Sequence, residues 1–119
     1  MSKPERLLAR LVDALDSKKG VDIQTLDVRE SCSYADYLVF ASGRSATQVK
    51  ALAEHAIEVA RVEGVKPVGV EGRTTGEWIL VDFGDVVVHA MQPTTRRFYQ
   101  VERLWDASVV SPQAMQAQA

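Results

Sequence analysis

The run from Trp78 to Met91, WILVDFGDVVVHAM, is apolar at nearly every position, with its main break at Asp82-Phe83-Gly84-Asp85. This pattern predicts two strands folded back on each other through a tight turn at Phe83-Gly84, where glycine supplies the positive φ of a short hairpin. Pairing Asp82 with Asp85 places Ile79, Val81 and Phe83 on one flank with Val86, Val88 and Ala90. The other flank collects Trp78, Leu80 and Asp82 beside Val87, His89 and Met91. A hairpin lying half in water alternates apolar with polar, whereas this one is apolar on both sides. Both flanks therefore need cover, and the second is covered either by the chain itself or by a partner.

The rest of the pattern is a succession of helices and strands. Leu7, Leu8, Leu11, Val12 and Leu15 form a stripe at helical spacing over residues 3–17. Ser2 with Glu5 reads as a capping box, Pro4 suits a first turn, and Gly20 is placed to end the helix. Residues 21–28 alternate as a strand, and 29–36 form a polar loop. Residues 37–41 read as a buried strand and 42–44 as a turn. A second helix begins at Ser45, again boxed by Gln48, with Val49, Leu52, Ala53, Ala56, Ile57 and Ala60 inward and Gly64 as its stop. Residues 65–70 form a strand that Pro67 confines to a sheet edge. Residues 71–77 are a polar loop. Pro93 opens a third helix over about 94–106, with Phe98, Val101, Leu104 and Trp105 facing inward. These elements predict one α/β or α+β domain with a mixed sheet over residues 1–106, followed by an Ala/Gln/Ser tail, 107–119, that frays.

Composition narrows the function. A chain of 119 residues holds one core. Acidic and basic residues stand at 16 against 14, a net charge of -2, so the basic excess that direct nucleic-acid binding requires is missing. Cys32 is the sole cysteine, which excludes an intrachain disulfide or a multi-cysteine zinc site and fits a reducing cytoplasm. No apolar run reads as a signal peptide or membrane span, so the expected location is cytoplasmic.

Candidate chemistry is sparse. His89 and Asp85 are the residue types of a metal site or general base, but nothing completes a ligand set, and a hydrogen-bonded structural histidine is the better reading. Cys32 has no basic neighbour in sequence to activate it. Gly43-Arg44-Ser45 opens a helix as a phosphate cradle would, and also resembles the Gly-Ser of nucleotidyltransferases. Such enzymes need two carboxylates alternating on a following strand, and Asp82 and Asp85 straddle a turn instead. Ser45 is therefore read as a cap, leaving an enzyme built on Ser45 with Asp82 or Asp85 as the alternative. Arg96 and Arg97 sit against the dipole at the start of the last helix, so Arg97 is a candidate for an outside anion or carboxylate.

Asp36-Tyr37, Ala41-Ser42-Gly43-Arg44-Ser45, Val70-Glu71-Gly72, Trp78 through Met91, and Arg97-Phe98-Tyr99 with Glu102, Leu104 and Trp105 occur here in one ordered set. In this the chain resembles the ribosomal silencing factor (Iojap-related) family, from about Leu7 to Trp105. The resemblance implies a mixed five-stranded sheet flanked by helices, nucleotidyltransferase-like in outline without the metal site. It also implies a regulator rather than an enzyme, with no cofactor. Such a regulator binds the large ribosomal subunit at its L-fourteen protein and so blocks the small subunit, and family members are often homodimers. Trp78, Asp82 and Met91 would then be partner contacts. Leu80 and Val87 divide between core and contact, and Glu71 is either a loop acceptor or a rim contact.

Overall fold

Helix α1 (Lys3–Ser17) forms where the leucine stripe lies, and Leu7, Leu11, Ala14 and Leu15 are its buried positions. The structure is a computed structural model that describes residues 2–30 and 34–99. Ser2 Oγ accepts the Glu5 amide and donates to the Glu5 carboxylate, so the predicted cap is in place. The helix ends one residue earlier in mechanism than expected. Lys19, not Gly20, takes the left-handed backbone at φ 63°, and the Gly20 amide donates back to the Leu15 carbonyl.

Strands β1 (Val21–Asp27) and β2 (Tyr37–Ser42) are followed by α2 (Ala46–Val62), β3 (Gly69–Glu71), β4 (Trp78–Asp82), β5 (Val86–Met91) and α3 (Pro93–Tyr99). The sheet runs β1-β2-β5-β4-β3. The β2–β5 pair is parallel and the other three are antiparallel, so the sheet is mixed, as the pattern predicts. The parallel pair exists because α2 carries the chain across one face before β3 and β4 return it.

The flanks separate as the alternation requires. Leu7, Leu11 and Leu15 of α1 and Val49, Leu52, Ala53, Ala56 and Ala60 of α2 pack on Val39, Ala41, Ile79, Val81, Phe83, Val86, Val88 and Ala90. The opposite flank gathers Leu38, Phe40, Trp78, Leu80, Val87 and Met91, closed at one margin by Val28 and Ala35 and edged by Leu26.

Ser45 caps α2, its Oγ accepting the Gln48 amide at 3.1 Å. The Gln48 side chain does not complete the box. It accepts from the Arg44 amide and donates to the Lys19 carbonyl, tying α2 to the turn after α1. Ser45→Ala is expected to cost about 1 kcal/mol, the ordinary cost of a lost N-cap, read as a lower urea midpoint at unchanged slope. An unchanged midpoint would remove the cap from the stability of α2.

Three sequence expectations are corrected. The hairpin pairs Asp82 with Val87, not Asp85, and Phe83 donates to the Val86 carbonyl, so the turn is Gly84-Asp85. Gly84 at φ 91° takes the first central position, while Phe83 is needed in the core. The strand expected over 65–70 shrinks to Gly69–Glu71. Pro67 cannot donate to a ladder, and the Val65 amide is spent on the Ala60 carbonyl, closing α2. Phe98 on α3 is 75% exposed rather than inward. Val101, Glu102, Leu104, Trp105, Cys32 and the tail lie outside the described residues.

Candidate functional site on the second flank of the sheet

The candidate contact residues fall mostly on one flank because β4 and β5 pair in a register that aligns them. Trp78 stands opposite Met91, Leu80 opposite His89 and Asp82 opposite Val87, with Glu71 of β3 opposite Leu80. The resemblance implies Trp78 and Met91 as partner contacts reaching solvent on this flank, and that expectation is corrected. Trp78 is 4% exposed and Met91 is fully buried. The reason is topological: β5 is flanked by β2 and β4, so Met91 sits between Ser42 and Trp78, in one buried cluster with Phe40. Leu80 and Val87 are also buried. What the flank offers to solvent is its rim, where Asp82 and Glu71 are half-buried.

Asp82 has a structural duty as well. Its Oδ1 accepts the Gly84 amide at 2.7 Å, which fixes the turn and leaves its second oxygen for other contacts. Asp85, exposed in the turn, uses its backbone carbonyl to receive the Asp36 and Tyr37 amides. The two residues lie at different points of a turn, and the Asp82 carboxylate serves its backbone, an arrangement unlike two metal-holding acids alternating on a strand. Ser45, capping α2, is likewise accounted for by the helix.

His89 is the hydrogen-bonded structural histidine that the sequence favours. It is fully buried, its Nδ1 accepts the Trp78 indole N–H at 3.0 Å, and its ring stacks on Phe40 at 4.8 Å and 17°. Burial holds the imidazole far below its ordinary range, down to about 3, so it is neutral at physiological pH. With Nδ1 accepting, the proton belongs on Nε2, and that nitrogen has no hydrogen-bond partner among the described residues.

Arg97 is exposed, as a contact candidate should be, but on α3 rather than on the hairpin. Its neighbour Arg96 is buried at 7%, donating from Nη1 to Ser42 Oγ at 2.9 Å. Ser42 is the signal that could have found it, being the polar end of an otherwise apolar buried strand, where a hydroxyl needs a partner. Behind the rim, Arg73 pairs with Glu54 of α2, bracing the loop between β3 and β4.

The described residues form an α+β domain with one flank of its sheet packed on two helices and the other edged by Asp82 and Glu71. The model of a family described as "Ribosomal silencing factor during starvation" matches residues 1–119. A Haemophilus influenzae protein named Ribosomal silencing factor RsfS is 40% identical over 99 residues, covering 83% of this chain and 97% of its own. A protein of the same name from Chromobacterium violaceum is 46% identical over 94 residues, covering 79% and 77%. A crystal structure of a Chromobacterium violaceum protein superimposes with a TM-score of 0.85 at 40% identity, covering 92% of each chain. The chain belongs to the ribosomal silencing factor family.

Proposed function

We propose that this chain silences translation by binding the large ribosomal subunit at its L-fourteen protein and standing where the small subunit must dock. Family membership over the whole chain carries this reading. The mechanism is occlusion, without bond chemistry or cofactor, in the cytoplasm. The docking surface is the second flank of the β4–β5 hairpin. Asp82 and Glu71 form its half-buried acidic rim, and the buried Leu80, Val87, Trp78 and Met91 are the apolar packing on which that rim stands. Arg97 lies at the periphery. A carboxylate such as Asp82 suits a charge-assisted bond to a basic residue of a ribosomal protein. Self-association of the chain as a homodimer through the same flank would compete with the ribosome, and equilibrium sedimentation of the free protein measures it.

Co-sedimentation with purified subunits tests the reading: the chain should travel with large subunits and reduce the yield of joined ribosomes. Co-migration with small subunits alone, or with neither, overturns it. Asp82→Asn keeps the oxygen that accepts from Gly84 while removing the charge. It should weaken large-subunit binding about 10-fold, the order expected for one lost charge-assisted bond, with little change in Tm. Wild-type affinity in that variant would take Asp82 out of the surface.

A further inference from the structure

The slot occupied by His89 is apolar on all the sides that are described. Phe40 lies flat against it, Leu80 stands opposite, and Trp78 approaches at 5.9 Å between ring centroids with a 42° tilt. A phenylalanine or leucine would fill such a slot without burying a polar atom. Histidine leaves Nε2 without a partner among the described residues in a fully buried position, which is intrinsically unfavourable.

What the imidazole alone supplies here is a flat face and an edge acceptor in one rigid ring. The stack on Phe40 sets the ring plane, and bare Nδ1 then points at the indole N–H of Trp78, one diagonal step away across the β4–β5 pair. The indole is thereby held in one orientation beside Leu80, two residues along the same pleat. The ionisable groups sharing this flank are Asp82 on β4, Glu71 on β3 and Arg96 from α3, and none of them hydrogen-bonds the imidazole.

We propose that His89 is a positioning residue of the docking flank: through Nδ1 and its stack on Phe40 it fixes the Trp78 indole, and so the buried packing, Leu80 included, that sets how Asp82 is presented to the partner. This rests on the docking reading above. His89 itself touches no partner.

Two substitutions separate positioning from packing because they divide the two properties of the ring. His89→Phe keeps the flat face and loses the acceptor, and His89→Asn keeps an acceptor and loses the face. Large-subunit affinity is measured by co-sedimentation, and the Trp78 indole N–H is followed by 1H–15N NMR, assigned with Trp78→Phe. Positioning predicts that the Phe variant shifts the indole signal upfield and weakens binding about 10-fold, as for one lost buried hydrogen bond, while the Asn variant restores both toward wild type. Mere packing predicts the reverse order, and a Phe variant that binds as wild type overturns the proposal. Should neither variant fold, the wild-type protein still decides: long-range 1H–15N spectra must show a protonated Nε2 and a bare Nδ1 on His89, and the opposite tautomer sinks the inference. Wild type that binds no large subunit, with the indole signal still responding to His89→Phe, overturns the docking reading and leaves only the Trp78 hydrogen bond standing.

Discussion

Replacing Gly72 by alanine is expected to destabilise the chain by about 2–5 kcal/mol, combining the cost of a left-handed alanine with that of a forced steric displacement. Gly72 has φ 86°, and a Cβ built there would lie 1.9 Å from the Trp78 carbonyl oxygen. That oxygen belongs to backbone, so no side chain can swing aside. Either the loop between β3 and β4 moves or the first residue of β4 does. Both routes disturb the site, because Glu71 precedes the glycine and Trp78 opens the strand that carries Leu80 and Asp82. Gly69, three residues earlier, is the internal control. A Cβ there meets nothing within 4 Å, and its φ is not left-handed. Gly69→Ala is therefore expected to stay within about 0.5 kcal/mol of wild type, as surface substitutions do. Urea unfolding of the two variants reads the difference, and equal midpoints would show that the loop accommodates a side chain at residue 72.

That contrast also marks what the sequence makes legible. The two long helices are written in local chemistry: Ser2 and Ser45 cap them, and the buried stripes fall at the expected spacing. The double-sided hairpin is equally plain, because a period of two assigns every residue from Trp78 to Met91 to its correct flank even with the turn misplaced. The mixed five-stranded sheet follows from that pattern and the family resemblance together. Less legible were features set by distant parts of the chain. Nothing local to Phe40 or His89 announces that β2 and β5 lie side by side in parallel, and that pairing is what buries Met91 and stacks the two rings. Apolar flanks state that cover is needed without naming the cover. Trp78 was therefore open to being an anchor or a core residue, and the structure places it in the core. Arg96 misled for a related reason, since an arginine in a first turn reads as solvated until its hydroxyl partner, 54 residues earlier, is known.

Stability should fall steeply with acid well above the range where carboxylates titrate. His89 in the folded chain binds a proton only near pH 3, because burial opposes its charge, whereas in the unfolded chain it titrates near its ordinary 6.5. The unfolded state thus binds more protons throughout that interval, so stability contributed by the neutral ring is present above pH 6.5 and is lost as pH falls toward 3. Each pH unit in the window corresponds to about 1.4 kcal/mol, giving a loss of about 2 kcal/mol by pH 5. Asp27 and Glu58 also have lowered values, through hydrogen bonds from Arg29 and Arg61, but both are surface groups. Their contribution disappears only below the ordinary carboxylate range, outside the window between pH 6.5 and 5. Urea unfolding at half-unit steps should show the wild-type free energy declining across it. His89→Phe should give a curve nearly flat there, whatever its absolute stability, since the titrating ring is gone. A Phe variant with the wild-type slope would mean that another group takes up the proton and that the buried imidazole is not what acid attacks first. With the expected slope, protonation competes directly with the Trp78 N–H for Nδ1, and the hydrogen bond that orders the second flank becomes the first thing lost in acid.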